Sequence, residues 1–260
     1  RLVPTFIVAM LLTVIAAFIT RHYLREDFVG DPETWGQILS HLFLLHGVLN
    51  IDSISAGAWY IAIDWQLYAT LAILITLFGR TQRLVLVLLV MMCAGLFYFS
   101  QFEYFDDWMI YFIGSYGLGV IAFLISDRGD QSLARLSKGA GYLMVVLLTV
   151  SLFMGAGAKT IVALMIFLVL LIGNLKVLEI NLTHPSRWIQ IIKWFSQRSY
   201  CMFLIHYPFI LLFNAMYEKF NLSTYGISSI LICVVWVVSL IAANYLYEWV
   251  EKPSRRLQLN

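Results

Sequence analysis

Two ionisable side chains, Asp64 and His206, lie inside apolar runs that are long enough to cross a bilayer. A charged or titrating group in hydrocarbon costs several kcal/mol, so it usually faces a polar cavity and has a task there. Carboxylates and imidazoles transfer protons near neutral pH when their surroundings tune them. These two residues therefore point to acid–base chemistry, or to proton movement, within a membrane protein.

Asp64 lies about five residues into its apolar run, and Tyr68 comes one helical turn later on the same face. An aromatic belt at the membrane surface accounts for Trp59 and Tyr60. The same belt accounts poorly for Asp64, because a short carboxylate cannot reach back to water as a long side chain does. A functional role for Asp64 is the favoured interpretation.

His206 lies about two turns inside another run, and Pro208 removes a backbone donor beside it. A histidine at such an irregularity can shuttle a proton or hold a substrate oxygen. A neutral histidine that is hydrogen-bonded to a neighbouring helix explains the position equally well. Glu248 and Glu251, at the end of the last run, favour a solvated helix end beside Lys252 when they are taken alone.

The elements that position these residues can be read from composition. The chain is 61% hydrophobic and 12% charged, whereas soluble domains carry about 25% charged residues. With spans of about 20 residues, the sequence predicts an all-α, polytopic transmembrane helix bundle. About eight spans are predicted, at roughly 3–20, 58–78, 84–100, 108–126, 140–156, 160–175, 199–217 and 226–248.

The apolar run over residues 38–49 is too short to cross, so it predicts a short re-entrant or interfacial helix. His41 and His46 lie within it, five positions apart. On one helix they would not share a face, which argues against a metal site. No metal is expected elsewhere in the chain.

Basic residues are distributed unevenly between the two sets of loops. Thirteen of the 17 fall on one side and four on the other. By the positive-inside rule, the first span leaves the cytoplasm and the C-terminus is cytoplasmic. The net charge of +2 gives no argument for nucleic acid as a partner.

Three segments resemble motifs of one enzyme family. The first resembles a Trp-Ser-Leu-x-x-Glu-x-x-Phe-Tyr run, with Asp in place of Glu, at Trp59, Asp64, Gln66 and Tyr68. The second resembles a Ser-Tyr-x-x-Tyr-Leu-x-His-x-Pro run, at Ser199, Tyr200, Leu204, His206 and Pro208. The third, a final span that ends in Glu-x-Pro before basic residues, is found at Glu251, Pro253, Arg255 and Arg256. Together they are similar to the integral-membrane acyltransferase 3 family.

The opening Arg1-Leu2-Val3-Pro4 resembles the end of that family's Arg-x-x-Arg-(Ile/Leu)-x-Pro motif, with Arg1 as its second arginine. Family members have about ten spans, and their principal catalytic histidine precedes this motif. The resemblance therefore implies two further spans, and that histidine, upstream of Arg1. It also implies one acyltransferase-like domain over 1–253 and a cytoplasmic tail over 254–260.

The resemblance implies an acyltransferase of the bacterial inner membrane that transfers an acyl group, acetyl being expected, from acetyl-CoA or another acyl-CoA. The acceptor would be a hydroxyl of a cell-surface or lipid-linked carbohydrate, such as a polysaccharide or lipopolysaccharide, and no bound cofactor is implied. Asp64 and His206 are the catalytic candidates. The substrate-binding candidates are Arg1, Trp59, Tyr68, Ser199, Tyr200 and Glu251.

Two other functions fit the same residues. One is a transporter or flippase for a lipid-linked sugar, in which Asp64 and His206 carry protons. The other is a membrane scaffold without catalysis, which leaves Asp64 unexplained.

Overall fold

The structure, a computed structural model, describes residues 2–23, 29, 31–126, 129–154, 157–174, 187–220 and 225–257. Over these residues the regular structure is helical, with no β-strand. The helices are α1 (Leu2–Tyr23), α2 (Trp35–Leu42), α3 (Ala58–Phe78), α4 (Gln82–Phe97), α5 (Met109–Ser126), α6 (Gln131–Phe153), α7 (Ala158–Asn174), α8 (Arg187–Lys219), α9 (Tyr225–Leu246) and α10 (Lys252–Leu257).

The predicted fold class is confirmed. Among the described residues, seven helices are long and apolar enough to cross a membrane: α1, α3, α4, α5, α6, α8 and α9. The eighth predicted span corresponds to α7, which has 17 residues and is shorter than a typical crossing. The predicted division into one domain over 1–253 and a tail over 254–260 stays a prediction.

The first part of the short apolar run over residues 38–49 lies in the eight-residue helix α2, and the rest of the run forms turns. Thr34 begins α2 with a capping box, in which the Thr34 hydroxyl accepts from the Gln37 N–H and the Gln37 side chain accepts from the Thr34 N–H. The helix ends at Leu42, and Leu44 then adopts a positive φ of 58°. The chain turns back over its own helix as a result.

This turn brings together two histidines that the spacing argument had separated. The rings of His41 and His46 stack with centroids 4.0 Å apart and planes 7° from parallel. The argument that they would not share a face assumed one continuous helix, whereas α2 ends between them. The His41 Nδ1 donates to the Gln37 carbonyl at 2.7 Å, and Nε2 accepts from the Ile54 N–H at 3.0 Å. Both nitrogens of His41 are therefore engaged with the backbone.

The chain divides into two compact units. The first unit comprises Arg1–Ala62 and Leu182–Asn260, and the second comprises Ile63–Asn181. In the first, α8 packs against both α1 and α9. Its core includes Phe6, Met10, Ile61 and Leu204, and a second buried cluster contains Cys201, Ile205, Ala243, Leu246 and Tyr247.

In the second unit, α5 packs against α4, α6 and α7. Lipid is as apolar as the core, so helices in a membrane associate mainly through close packing, and small residues allow that packing. Gly95 of α4 meets α5 at such a place. A Cβ at Gly95 would lie 2.8 Å from the Ile113 side chain and 3.0 Å from two backbone atoms, Gly114 N and Ile110 O. Because two of these three atoms belong to the backbone of α5, they leave little room to adjust.

We expect Gly95→Ala to destabilise the protein by about 1–3 kcal/mol, the usual effect of overpacking. Gly119→Ala on α5 is the matched control, because a Cβ there would meet nothing within 4 Å. Replacing that helical glycine should be neutral or stabilising by up to about 1 kcal/mol. Thermal unfolding of the two purified variants in the same detergent measures the difference. Equal midpoints would contradict the close α4–α5 packing.

Candidate active site

A charged cluster holds α8 to the end of α9, and Arg198 is its centre. Arg198 is only 7% exposed. Its Nε donates to Asn244 Oδ1 at 2.7 Å, and one terminal nitrogen donates to Glu248 Oε1 at 3.0 Å. The guanidinium also lies over the rings of Trp194 and Tyr247, 4.4 and 4.6 Å from their centroids. A planar, delocalised cation suits this site because it can stack and donate in a fork at once.

Glu251 is fully buried in the same cluster. Its carboxylate accepts from the Cys201 thiol at 3.0 Å and from the Arg255 guanidinium at 2.5 Å. The expectation of a solvated helix end was therefore wrong for Glu251, although it describes Glu248, which pairs with Lys252 and is partly exposed. A buried charge persists only when it is paired and hydrogen-bonded, and Glu251 meets both conditions.

A π-helical turn over Tyr247–Glu251 separates α9 from α10, and it contains the buried Glu251. A π turn inserts one extra residue and rotates the part of the helix beyond it, and such turns often occur at functional sites. Glu248, one turn after Asn244, contacts Arg198, while Glu251 lies within the π turn and contacts Cys201. We call the end of the first unit that carries Arg198, Glu248, Glu251, Lys252 and Arg255 the basic end.

Two further predicted site residues, Ser199 and Tyr200, lie next to Arg198 on α8. The Tyr200 hydroxyl donates to the Leu2 carbonyl at 3.0 Å, which ties the Ser-Tyr run to the residue after Arg1. Ser199 is exposed, and its hydroxyl donates to the Ser196 carbonyl of its own helix at 2.9 Å. Arg1 itself lies outside the described residues.

His206 stands further along α8, between an aromatic row and a cavity. The aromatic row runs from Trp59 to Tyr60 and then to Phe203, with ring centroids 6.0 and 5.4 Å apart. Phe203 in turn lies 6.1 Å from the His206 ring. Helix α8 continues through Pro208, whose missing N–H leaves the preceding turn without one backbone bond. No described residue makes a hydrogen bond to the His206 imidazole.

The cavity on the other side of His206 lies between α8 and α9 and has a volume of about 510 Å³. These helices run antiparallel, since Arg198 contacts Asn244 near one end and the Tyr217 and Ser228 hydroxyls are 3.5 Å apart near the other. The apolar lining residues are Met202, Ile210, Phe213, Leu231, Ile232, Val235 and Trp236. The polar lining residues are His206, Asn214, Tyr217, Ser228 and Ser239.

Asp64 belongs to the second unit, where it lies partly buried on α3. Its carboxylate is close enough to the Tyr116 phenol of α5 to interact with it electrostatically. Tyr68, one turn along α3, packs edge-on against the same Tyr116 ring at 6.1 Å. Between them, the Gln66 amide fixes the start of α5, donating to the Asp107 carbonyl and accepting from the Met109 N–H. The acid and both phenols thus form one group.

Comparison with protein families decides the class of the protein. The family model of acyltransferase 3, described as an acyltransferase domain, matches residues 1–245. The chain belongs to the acyltransferase 3 family. No curated protein and no solved structure matches it. The family resemblance predicted from the motifs is confirmed, and the protein is a membrane acyltransferase.

Two features of the charged cluster were beyond the sequence prediction. Cys201 was absent from the predicted site because an isolated cysteine in an apolar run indicates packing alone. The contact of Arg198 with Glu248 joins residues far apart in sequence, and no local spacing signals it. Asn244 makes an interhelical hydrogen bond, because its Oδ1 accepts from Arg198.

We expect Arg198→Lys to destabilise this acyltransferase by about 1–3 kcal/mol, because lysine keeps the charge but cannot serve Asn244 and Glu248 together. Arg187→Lys, at an exposed position on the same helix, is the control and should change stability by less than about 0.5 kcal/mol. Thermal unfolding in detergent measures both. Similar midpoints for the two variants would show that the α8–α9 contacts of Arg198 contribute little.

Proposed function

We propose that the protein transfers an acyl group from a cytoplasmic acyl-CoA, acetyl-CoA being the simplest, to a hydroxyl of a cell-surface or lipid-linked carbohydrate. The observation that carries the proposal is the position of His206. In a membrane acyltransferase, an imidazole without a hydrogen-bond partner among the described residues stands between a row of aromatic rings and a cavity. The rings of Trp59, Tyr60 and Phe203 offer flat faces of the kind against which a sugar ring can lie.

The transfer needs a base for the acceptor hydroxyl and a route for its proton. The hydroxyl oxygen attacks the thioester carbonyl carbon, a C–O bond forms and the C–S bond breaks. In our proposal His206 takes the hydroxyl proton and returns it to the departing thiolate, so that the ester and free CoA thiol are the products. Asp64 is proposed as a second catalytic group, a carboxylate that orients acceptor hydroxyls near Tyr68. A further histidine upstream of Arg1 stays a prediction from the family resemblance.

The donor is proposed to bind at the basic end. Ser199, Tyr200 and Arg1 are the proposed contacts there, and Arg255 is held by the buried Glu251 carboxylate. A guanidinium fixed in this way can present its remaining donors to a phosphate at little entropic cost. Arg198 is fully engaged with α9, so we assign it the task of holding the helices rather than the donor.

Asp64→Asn tests the catalytic proposal. Asparagine keeps the shape and removes the charge, so membrane insertion should be unimpaired. We expect O-acylation of surface polysaccharide to fall by about 10²-fold or more. The assay is mass spectrometry of the polysaccharide from a null strain that carries the full-length gene. Asp106→Asn, an exposed loop position of the same unit, is the control and should retain activity.

Two outcomes separate the alternatives for Asp64. If Asp64→Asn retains most of the activity at normal protein levels, Asp64 is a structural acid. If the unchanged protein transfers no acyl group to any surface carbohydrate, the proposed reaction itself is wrong.

Orientation in the bacterial inner membrane is proposed from the distribution of basic residues. Residues 127–138 would face the cytoplasm and residues 21–57 the periplasm, with a cytoplasmic C-terminus. A cysteine that replaces Thr34 should react with an impermeant maleimide in intact cells, whereas one that replaces Ser132 should react only after lysis. Labelling of the Ser132 position in intact cells would reverse the topology.

A further inference from the structure

We infer that the α8–α9 cavity holds the acyl group that is being transferred, and that this group is longer than acetyl. The inference rests on the proposed function and names its substrate class, a thioester of a medium-chain fatty acid. Three properties of the cavity support it: where its polar atoms lie, where its apolar lining runs, and how large it is.

Two polar side chains without a hydrogen-bond partner among the described residues, Ser239 and His206, lie at one end of the cavity. Ser239 is 1% exposed, and its hydroxyl has no hydrogen-bond partner among the described residues. His206 lines the same cavity. A buried hydroxyl without a partner is costly, which suggests that a ligand oxygen completes it. An acyl carbonyl at this end would accept from Ser239 Oγ and place its carbon beside the His206 ring.

The opposite end of the cavity differs in that Tyr217 and Ser228 contact each other. His206 and Tyr217 are separated by about 16 Å along α8, and Ser228 and Ser239 by the same distance along α9. His206 and Ser239 therefore lie at one level of the antiparallel pair. Between the two levels, the lining is mainly apolar and includes Ile210, Phe213, Leu231 and Val235, with the Asn214 amide nearer the Tyr217 level. A ligand with one polar end and a mainly apolar tail matches this pattern.

The apolar lining indicates the direction of the tail. Towards the basic end, Met202 is the one lining residue beyond His206, and α8 and α9 pack there through the buried cluster of Cys201, Ile205, Ala243, Leu246 and Tyr247. A tail that starts at His206 therefore meets more apolar lining towards Tyr217 than towards the basic end. An acetyl group would occupy a small part of a cavity of about 510 Å³ and would leave its apolar walls in poor contact. A medium-length chain occupies much more of this space and gains dispersion contacts along it.

The bonds made and broken are the same for a long acyl group as for acetyl. The acceptor C–O bond forms, the thioester C–S bond breaks, and the proton passes from the hydroxyl to the thiolate. In this arrangement Ser239 Oγ donates to the carbonyl oxygen as it gains negative charge, which is the role of an oxyanion donor. The acyl tail does not react and sets only which donor is used.

The test compares acetyl-, butyryl- and octanoyl-CoA as donors for the full-length protein in lipid nanodiscs. Unchanged protein should prefer a donor longer than acetyl-CoA. Val235→Phe fills the cavity, so we expect its preference for octanoyl-CoA over acetyl-CoA to fall by about 10-fold or more. Val234→Phe is the matched control, since Val234 is 38% exposed and does not line this cavity. Leu231→Phe, one turn from Val235, repeats the test if Val235→Phe does not fold.

Ser239→Ala should lower the rate with every donor and leave the chain-length preference unchanged. A preference for acetyl-CoA that neither cavity-filling variant alters would overturn the inference while leaving the proposed function intact; a bilayer lipid chain would then be the occupant. Equal effects of Val235→Phe and Val234→Phe would also overturn it. Inactivity with all three donors, for protein that is folded and supplied with acceptor, would instead count against the proposed function.

Discussion

The first unit depends on pairing two carboxylates with two guanidinium groups at one end of a helix pair, where one group of each kind is buried. Taking such charges from water is expensive, and only well-directed partners repay the cost. Glu251 is completely buried, and Arg198 nearly so. Removing one partner would leave a buried charge with nothing to neutralise it. The arrangement therefore tolerates little change in how α8 and α9 meet, and it fixes their register.

That register determines what lies further along the same helices. Once Arg198 is opposite Asn244 and Cys201 is opposite Glu251, His206 and Ser239 fall at one level, and Tyr217 and Ser228 at another. The cavity is the space left between the packed cluster around Ile205 and the contact of the two hydroxyls. Its position is a consequence of charge pairing several turns away. The position of the aromatic row also depends on this register, because Phe203 lies on α8 between Arg198 and His206.

Much of the architecture could be predicted from hydropathy because each span is an apolar run, and each of the eight predicted runs corresponds to a helix. Helix boundaries were predicted less well where a helix extends beyond the apolar run. Helix α6 begins at Gln131, capped by the Asp130 side chain, whereas the apolar run begins near residue 140. Helix α8 begins at Arg187, well before the predicted start near 199, since its first three turns are amphipathic.

The π-helical turn has no signature in composition, so the burial of Glu251 could not be predicted. Motif matching placed Asp64, His206 and Tyr200 in the candidate site, but it could not tell that Arg198 binds α9.

The stacked histidines between α1 and α3 make this segment sensitive to acid. Burial lowers the pKa of His41, and burial together with the charge of His41 lowers the pKa of His46 from 6.5 to about 4. A lowered pKa means that the folded segment binds fewer protons than the unfolded one, so its stability is complete above about pH 6.5 and declines as the pH falls towards 4. A second proton on His41 would also replace the lone pair that accepts from Ile54 with an N–H. We therefore expect this segment to become more sensitive to protease as the pH falls across that range, independent of the chemistry at His206.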